Sequence, residues 1–219
     1  MAEKYYVMLM DVIGSTALPN RDEVTEKLNT AMGCINNTYD KDFLAPLEIT
    51  RGDEVAGVLK TSVNTYNIIT IFREALFPVD IRTILVYDIL RSGLNSRRSS
   101  IIDGPAFQQG NYMMIRLKKT QKNFTLNTGQ QELDRTIEAL MNLVLWQWST
   151  FTPLQQEIIR LYQEVRNQKE VAKQVERTQQ QVQRTLAKCR WELIDAAEKA
   201  VKGLFLSIEK QPKKNRILK

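Results

Sequence analysis

Histidine is absent from the 219 residues, and cysteine occurs only as Cys34 and Cys189. Histidine-based catalysis and Cys/His zinc chemistry are therefore excluded. Two distant cysteines make no disulfide framework, so a reducing home is the natural reading. Long hydrophobic runs are missing as well. Apolar stretches such as Tyr5–Met10 fall far short of the ~20 residues a spanning helix needs, and the N-terminus lacks the shape of a secretory signal. The expectation is a soluble, cytoplasmic protein without membrane partners. Its length suits one large domain or two modest ones, each able to bury a core.

Charge is divided unevenly along the chain. Residues 1–150 hold 16 Lys+Arg against 17 Asp+Glu, and residues 151–219 hold 15 against 8, which together make the net +6. The basic character belongs to the C-terminal third. Such asymmetry suggests a module that meets a polyanion, attached to a near-neutral body. The alternative is a solvated tail, since Lys210, Lys213, Lys214, Arg216 and Lys219 alone contribute five charges.

The first 127 residues alternate between strand and helix patterns. Tyr5–Met10 reads as a buried strand, and Leu28, Met32 and Ile35 recur on one helical face. Leu47–Arg51 and Glu54–Leu59, joined at Gly52 and Asp53, read as a β-hairpin. Thr61–Leu76 is a second helix, Ile81–Leu90 a strand, Pro105–Lys118 a third helix and Phe124–Leu126 a closing strand. The order β-α-β-β-α-β-α-β predicts an α+β domain over 1–128, its sheet covered by helices on one side. Residues 129–150, striped with Leu133, Ile137, Leu140, Val144, Leu145 and Trp148, are expected to be a linker or dimerisation helix. Residues 151–207 are expected to form an all-α domain and 208–219 a basic tail.

Two acidic residues stand out. Asp11 ends a buried strand and is followed by Gly14 and Ser15; Asp53 sits at the hairpin tip. Neighbouring strands would bring the carboxylates together, where they repel unless a cation intervenes. Mg²⁺ or Mn²⁺ held by Asp11 and Asp53 would supply it, and the backbone at Gly14 and Ser15 would meet the phosphates of a nucleotide. Against this stands the plain role of Asp in caps and turns.

The segments Tyr6–Ser15 and Thr50–Gly57 resemble the two metal-bearing segments of the class III nucleotidyl cyclase and GGDEF superfamily. With Phe77–Arg82 and Asp103–Phe107 in the same order, residues 4–118 resemble the SatD family. That resemblance implies a palm-like ferredoxin fold, with Asp11 and Asp53 in the place of the metal-binding aspartates. The cyclases' transition-state Asn and Arg, laid over Gly104, fall on Gln108 and Tyr112. Tyrosine cannot neutralise charge developing on phosphate as arginine does. Binding rather than turnover is the expectation, with Arg116, Lys118 and Lys119 as solvated helix residues.

The C-terminal region reads as a helix-turn-helix. Thr152 and Pro153 open an amphipathic helix with Leu154, Ile158, Leu161, Tyr162 and Val165. A short helix over Lys169–Val175 follows, then a turn at Glu176 and Arg177. Thr178 caps a third helix carrying Val182, Leu186, Cys189 and Leu193 inward and running on to about Phe205. Its other face presents Gln179, Gln180, Gln183, Arg184 and Lys188, side chains suited to base edges and phosphates in a major groove. Ala172, Val175, Thr178 and Val182 resemble the spacing in region four of bacterial sigma factors, except that Glu176 stands where glycine is frequent. A three-helix protein-binding bundle is the alternative. One module covers little DNA, so a homodimer on paired half-sites is expected. The leading expectation is a DNA-binding transcriptional regulator whose first domain binds nucleotide or a divalent metal. Its rivals are a nucleotidyl cyclase or phosphotransferase using Asp11 and Asp53, and a non-catalytic interaction scaffold.

Overall fold

A computed structural model describes residues 3–15 and 20–210. The chain divides into two compact units, with boundaries at Asn142/Leu143 and Ala200/Val201. The outer segments, 1–142 and 201–219, form the first unit, and 143–200 the second. The basic tail expected over 208–219 lies, from 211 on, outside the described residues.

The first unit is built on a five-stranded sheet of β1 (Lys4–Val12), β2 (Phe43–Arg51), β3 (Glu54–Leu59), β4 (Ile81–Ile89) and β5 (Phe124–Asn127), in the order β2-β3-β1-β4-β5. β1 pairs antiparallel with β3 and β4, β2 with β3 antiparallel, and β4 with β5 parallel. β1 is central, and its run from Tyr6 to Val12 is buried on both faces, as a strand without polar alternation requires. Gly52 takes a left-handed φ of 62° at the hairpin turn, the conformation that two-residue hairpins demand.

Helices cover both faces, which corrects the expectation of one. Val7, Leu9, Ala56, Val58, Ile84 and Val86 form one core cluster with Ala106, Met114 and Leu117 of α3 (Pro105–Leu117). Tyr6, Met8 and Met10 point the other way by strand alternation and are buried too. α1 (Arg21–Thr38) and α2 (Thr65–Leu76), packed on each other and on β2 and β4, close that face with Leu28, Met32, Ile35, Ile68, Ile69 and Phe72. A central strand apolar at every position from Tyr5 to Met10 gives no sign of a solvated face, and that was the available clue.

α4 (Gln131–Ser149) crosses from the first unit into the second. Within the first unit it seals the free edge of β5. Asn142 Oδ1 accepts from the Asn123 and Phe124 backbone N–H groups, while its Nδ2 donates to the Phe124 carbonyl. Thr125 Oγ1 donates to Glu138, and the Thr128 N–H and hydroxyl donate to Asp134. Asp134, Glu138 and Asn142 recur every four residues, so one helical stripe supplies the partners a sixth strand would have given.

The second unit holds α5 (Pro153–Val165), α6 (Gln168–Gln174), α7 (Gln179–Lys188) and the first half of α8 (Trp191–Lys210). Ile158, Ile159, Val171, Ala172, Val182 and Leu186 are its buried centre. The buried Glu198 accepts from Trp148 Nε1 and Gln163 Nε2 at 2.9 Å each. The third helix does not run on to Phe205. Cys189 caps α7, Arg190 turns left-handed at φ 50°, and α8 begins at Trp191. The break rotates the stripe, so Cys189 is buried as expected whereas Leu193 is 63% exposed.

Candidate functional site

The strand register builds a ladder under α3. Val58, Val7 and Val86 form one rung, Ala56, Leu9 and Ile84 the next, and Glu54, Asp11 and Arg82 the third. The first two rungs are apolar core. The third is charged and lies where the strands meet the end of α3. Asp11 is 7% exposed, and a carboxylate so enclosed is costly unless paired. Lys118, the residue after α3, places Nζ 2.7 Å from Asp11 Oδ1 and 3.6 Å from Glu54 Oε1. Arg82 Nη1 lies 3.5 Å from Asp11 Oδ2. Burial lowers the pKa of the Lys118 ammonium, but the hydrogen bond to Asp11 and the charges of Asp11 and Glu54 outweigh it and hold it above the usual lysine value.

Lys118, expected as a solvated helix residue, is indeed 39% exposed, but its ammonium is ion-paired rather than free in solvent. The carboxylate that shares it with Asp11 is Glu54; Asp53 sits one residue further into the turn, with Oδ2 enclosed and lacking a hydrogen-bond partner. The signal for Lys118 was present in the chain: Gly110, Met114 and Lys118 recur at four-residue spacing, and the first two are buried. A lysine closing a buried stripe is a reason to look for its counter-charge.

The other motif segments have structural reasons. Gly104 caps α3 ahead of Pro105, and a Cβ there would lie 2.8 Å from the Ile89 carbonyl oxygen, so only glycine fits. Asp103 Oδ1 accepts from the Gly104 N–H. The Asp80 carbonyl accepts from the Ile13 N–H at 2.9 Å, which ties the turn before β4 to the end of β1. Burial raises the Asp80 carboxyl above its ordinary range, with Arg73 pulling the other way. Gly14 takes φ 71° and Ser15 is buried. Gln108 and Tyr112 lie exposed on α3, and the Arg116 guanidinium sits 5.7 Å from the Tyr112 ring centroid. Tyr112 and Arg116 face a 690 Å³ groove beside β5 and the start of α4.

Whether a divalent ion fits is decided by the donors at Asp11. Both its oxygens have cationic neighbours, and among the described residues no three His, Cys, Asp or Glu side chains gather as a ligand set. Mg²⁺ and Mn²⁺ prefer about six oxygen donors. With Lys118 in place, the residues present do not fit such an ion.

In the second unit, Asn167 accepts at the start of α6 from the backbone of Lys169 and Glu170. Thr152 and Thr178 each close a capping box, with Gln155 and Gln181 respectively. Between α6 and α7, Glu176 takes φ 52° and the Arg177 N–H donates to the Ala172 carbonyl at 2.9 Å. The turn adopts a glycine-like conformation without a glycine. Gln179, Gln180, Gln183, Arg184 and Lys188 are all exposed, and Val182 and Leu186 point inward. Residues 168–190 hold six Lys+Arg against two Asp+Glu. Of these six, Lys169, Lys173, Arg184 and Lys188 are exposed on α6 and α7.

A comparison with curated proteins finds no match. Among the described residues no helix is long and apolar enough to cross a membrane. The family model described as SatD family matches residues 5–195. The match extends well past the 4–118 of the motif resemblance: it takes in the charged rung and the exposed face of α7 alike, and the chain belongs to the SatD family.

Proposed function

We propose that this protein is a DNA-binding transcriptional regulator. In this reading α5–α7 form a helix-turn-helix, and the first unit is a palm-like ferredoxin fold that senses a nucleotide. The observation that carries the reading is the exposed face of α7: all five nominated side chains are open to solvent on a helix whose N-terminus is fixed by a capping box. A short helix, a turn and a second helix with amide and cationic side chains outward suit a major groove. The strand order β2-β3-β1-β4 with antiparallel pairing supports the ferredoxin-like reading. The turn at Gly14 and Ser15 is where phosphates would approach. A homodimer on paired half-sites follows from the small area one module covers, and Leu143 and Trp146, exposed three residues apart on α4, supply apolar surface for it.

Fluorescence anisotropy on genomic fragments selected by the full chain tests the reading. Replacing Gln180 and Arg184 with alanine is expected to weaken binding to selected sequences by ~1–3 kcal/mol per bidentate base contact while sparing non-specific binding. Lys188→Ala and Lys173→Ala should weaken all sequences alike and reduce the salt slope by about one per phosphate contact. No salt-sensitive DNA binding by the wild-type chain would refute the proposal.

A further inference from the structure

The charged rung is complete in itself. Asp11 and Glu54 bring two negative charges and Lys118 and Arg82 two positive ones, linked as Arg82–Asp11 at 3.5 Å, Asp11–Lys118 at 2.7 Å and Lys118–Glu54 at 3.6 Å. We propose that Lys118 is the resident cation of this site: its ammonium, tethered to the end of α3, occupies the place at Asp11 that a divalent ion would need, and removing the side chain opens a metal site. The inference rests on the rung alone and not on the DNA-binding reading.

Three features carry it. The first is distance. At 2.7 Å from Asp11 Oδ1 the ammonium makes a charge-assisted hydrogen bond of full strength, and an ion sharing that oxygen would have to approach a like charge. The second is delivery. A Cβ on Gly110 would lie 2.8 Å from Leu9 Cδ1, so at this glycine α3 packs directly on a side chain of β1. That approach brings Lys118 over Asp11 two turns later. A cation held on the same chain competes at a high effective concentration with any ion from solution. The third is the carboxylate pair. Once the ammonium is gone, Asp11 and Glu54 face each other across β1 and β3, and Mg²⁺ is commonly held by one or two carboxylates with water completing its shell.

The experiment compares Mn²⁺ binding, by electron paramagnetic resonance and by thermal unfolding, in the wild-type chain, Lys118→Met and Lys118→Met combined with Asp11→Asn. Expected are no saturable site in the wild type up to millimolar Mn²⁺, and one site per chain in Lys118→Met, at least tenfold tighter. That site should vanish in the double variant. Mn²⁺ should raise the melting temperature of Lys118→Met and leave that of the wild type unchanged. Should Lys118→Met not fold, Lys118→Gln, which keeps an N–H donor for Asp11 but no charge, replaces it. Two results overturn the proposal: an Asp11-dependent Mn²⁺ site in the wild-type chain, or failure of both Lys118 variants to gain one.

Discussion

Glu176 is a single residue on which the turn between α6 and α7 depends. Its φ of 52° places a β-carbon in the left-handed region, which costs an L-residue roughly 1–2 kcal/mol. Glycine avoids that cost but loses about 0.5–1 kcal/mol through the freedom of the unfolded chain. The balance favours glycine, and Glu176→Gly is expected to stabilise the protein by about 0.5–1 kcal/mol, read as a higher urea midpoint at unchanged slope. A lower midpoint would show that the Glu176 side chain makes a compensating contact. Arg166 and Arg190 adopt the same conformation. Arg166 differs from Glu176 in having evident compensation: its guanidinium lies 5.1 Å from the Trp191 ring centroid and pairs with Asp195 at 3.1 Å. The Asp195 carboxyl, although burial pushes it up, is held below its ordinary range by Lys199 and Arg166.

Among the elements, β5 shows how an edge strand of four residues is held. Its parallel pairing with β4 satisfies one side, and Asn142 serves the other through the Asn123 and Phe124 amides and the Phe124 carbonyl. Asn142→Ala leaves these groups without protein partners, at roughly 1–3 kcal/mol for each one that water does not reach. Amide hydrogen exchange should show residues 123–126 losing protection while β1 and β3 keep theirs; uniform protection across the sheet would argue that Asn142 is dispensable. The elements were largely legible in the sequence, the edge contact less so. Continuous apolar runs marked β1 and β4, Gly52 and Asp53 marked the hairpin, and Thr152-Pro153 and Thr178 marked two helix starts that the structure closes with capping boxes. Asp134, Glu138 and Asn142 read as ordinary polar positions of a helix, because their partners are set by the tertiary path of the strand. The break at Arg190 was hidden for a local reason: neither glycine nor proline marks it, and the apolar spacing continues through Leu193. The nominated residues of the α7 face were legible as a surface pattern, whereas Lys118 became meaningful only with the register of β1, β3 and β4.

At the scale of the whole molecule, the chain leaves the first unit within α4 and returns to it within α8. The returning segment is core. Val201, Phe205 and Ile208 are buried, and the Phe205 ring meets Phe124 edge to face with centroids 6.4 Å apart. Glu209 accepts from the Ser62 N–H at 2.8 Å and from its hydroxyl at 2.9 Å. The sequence suggested that this extension packs on the 130–148 helix or a second protomer; α8 does meet that helix, where Glu198 accepts from Trp148 Nε1, and residues 201–210 also lie against β5 and the Ser62 loop. The two possibilities differ in what the loss of Phe205 would do. If the segment is intramolecular core, Phe205→Ala opens a cavity and costs about 3–5 kcal/mol, a large share of the 5–15 kcal/mol that holds a typical domain. The urea midpoint then falls at every protein concentration. If the segment mainly joined protomers, the same substitution would lower the mass seen by light scattering, and its effect on stability would shrink on dilution. The packing of Phe205 on Phe124 predicts the first result: a concentration-independent loss of stability with the oligomeric state unchanged.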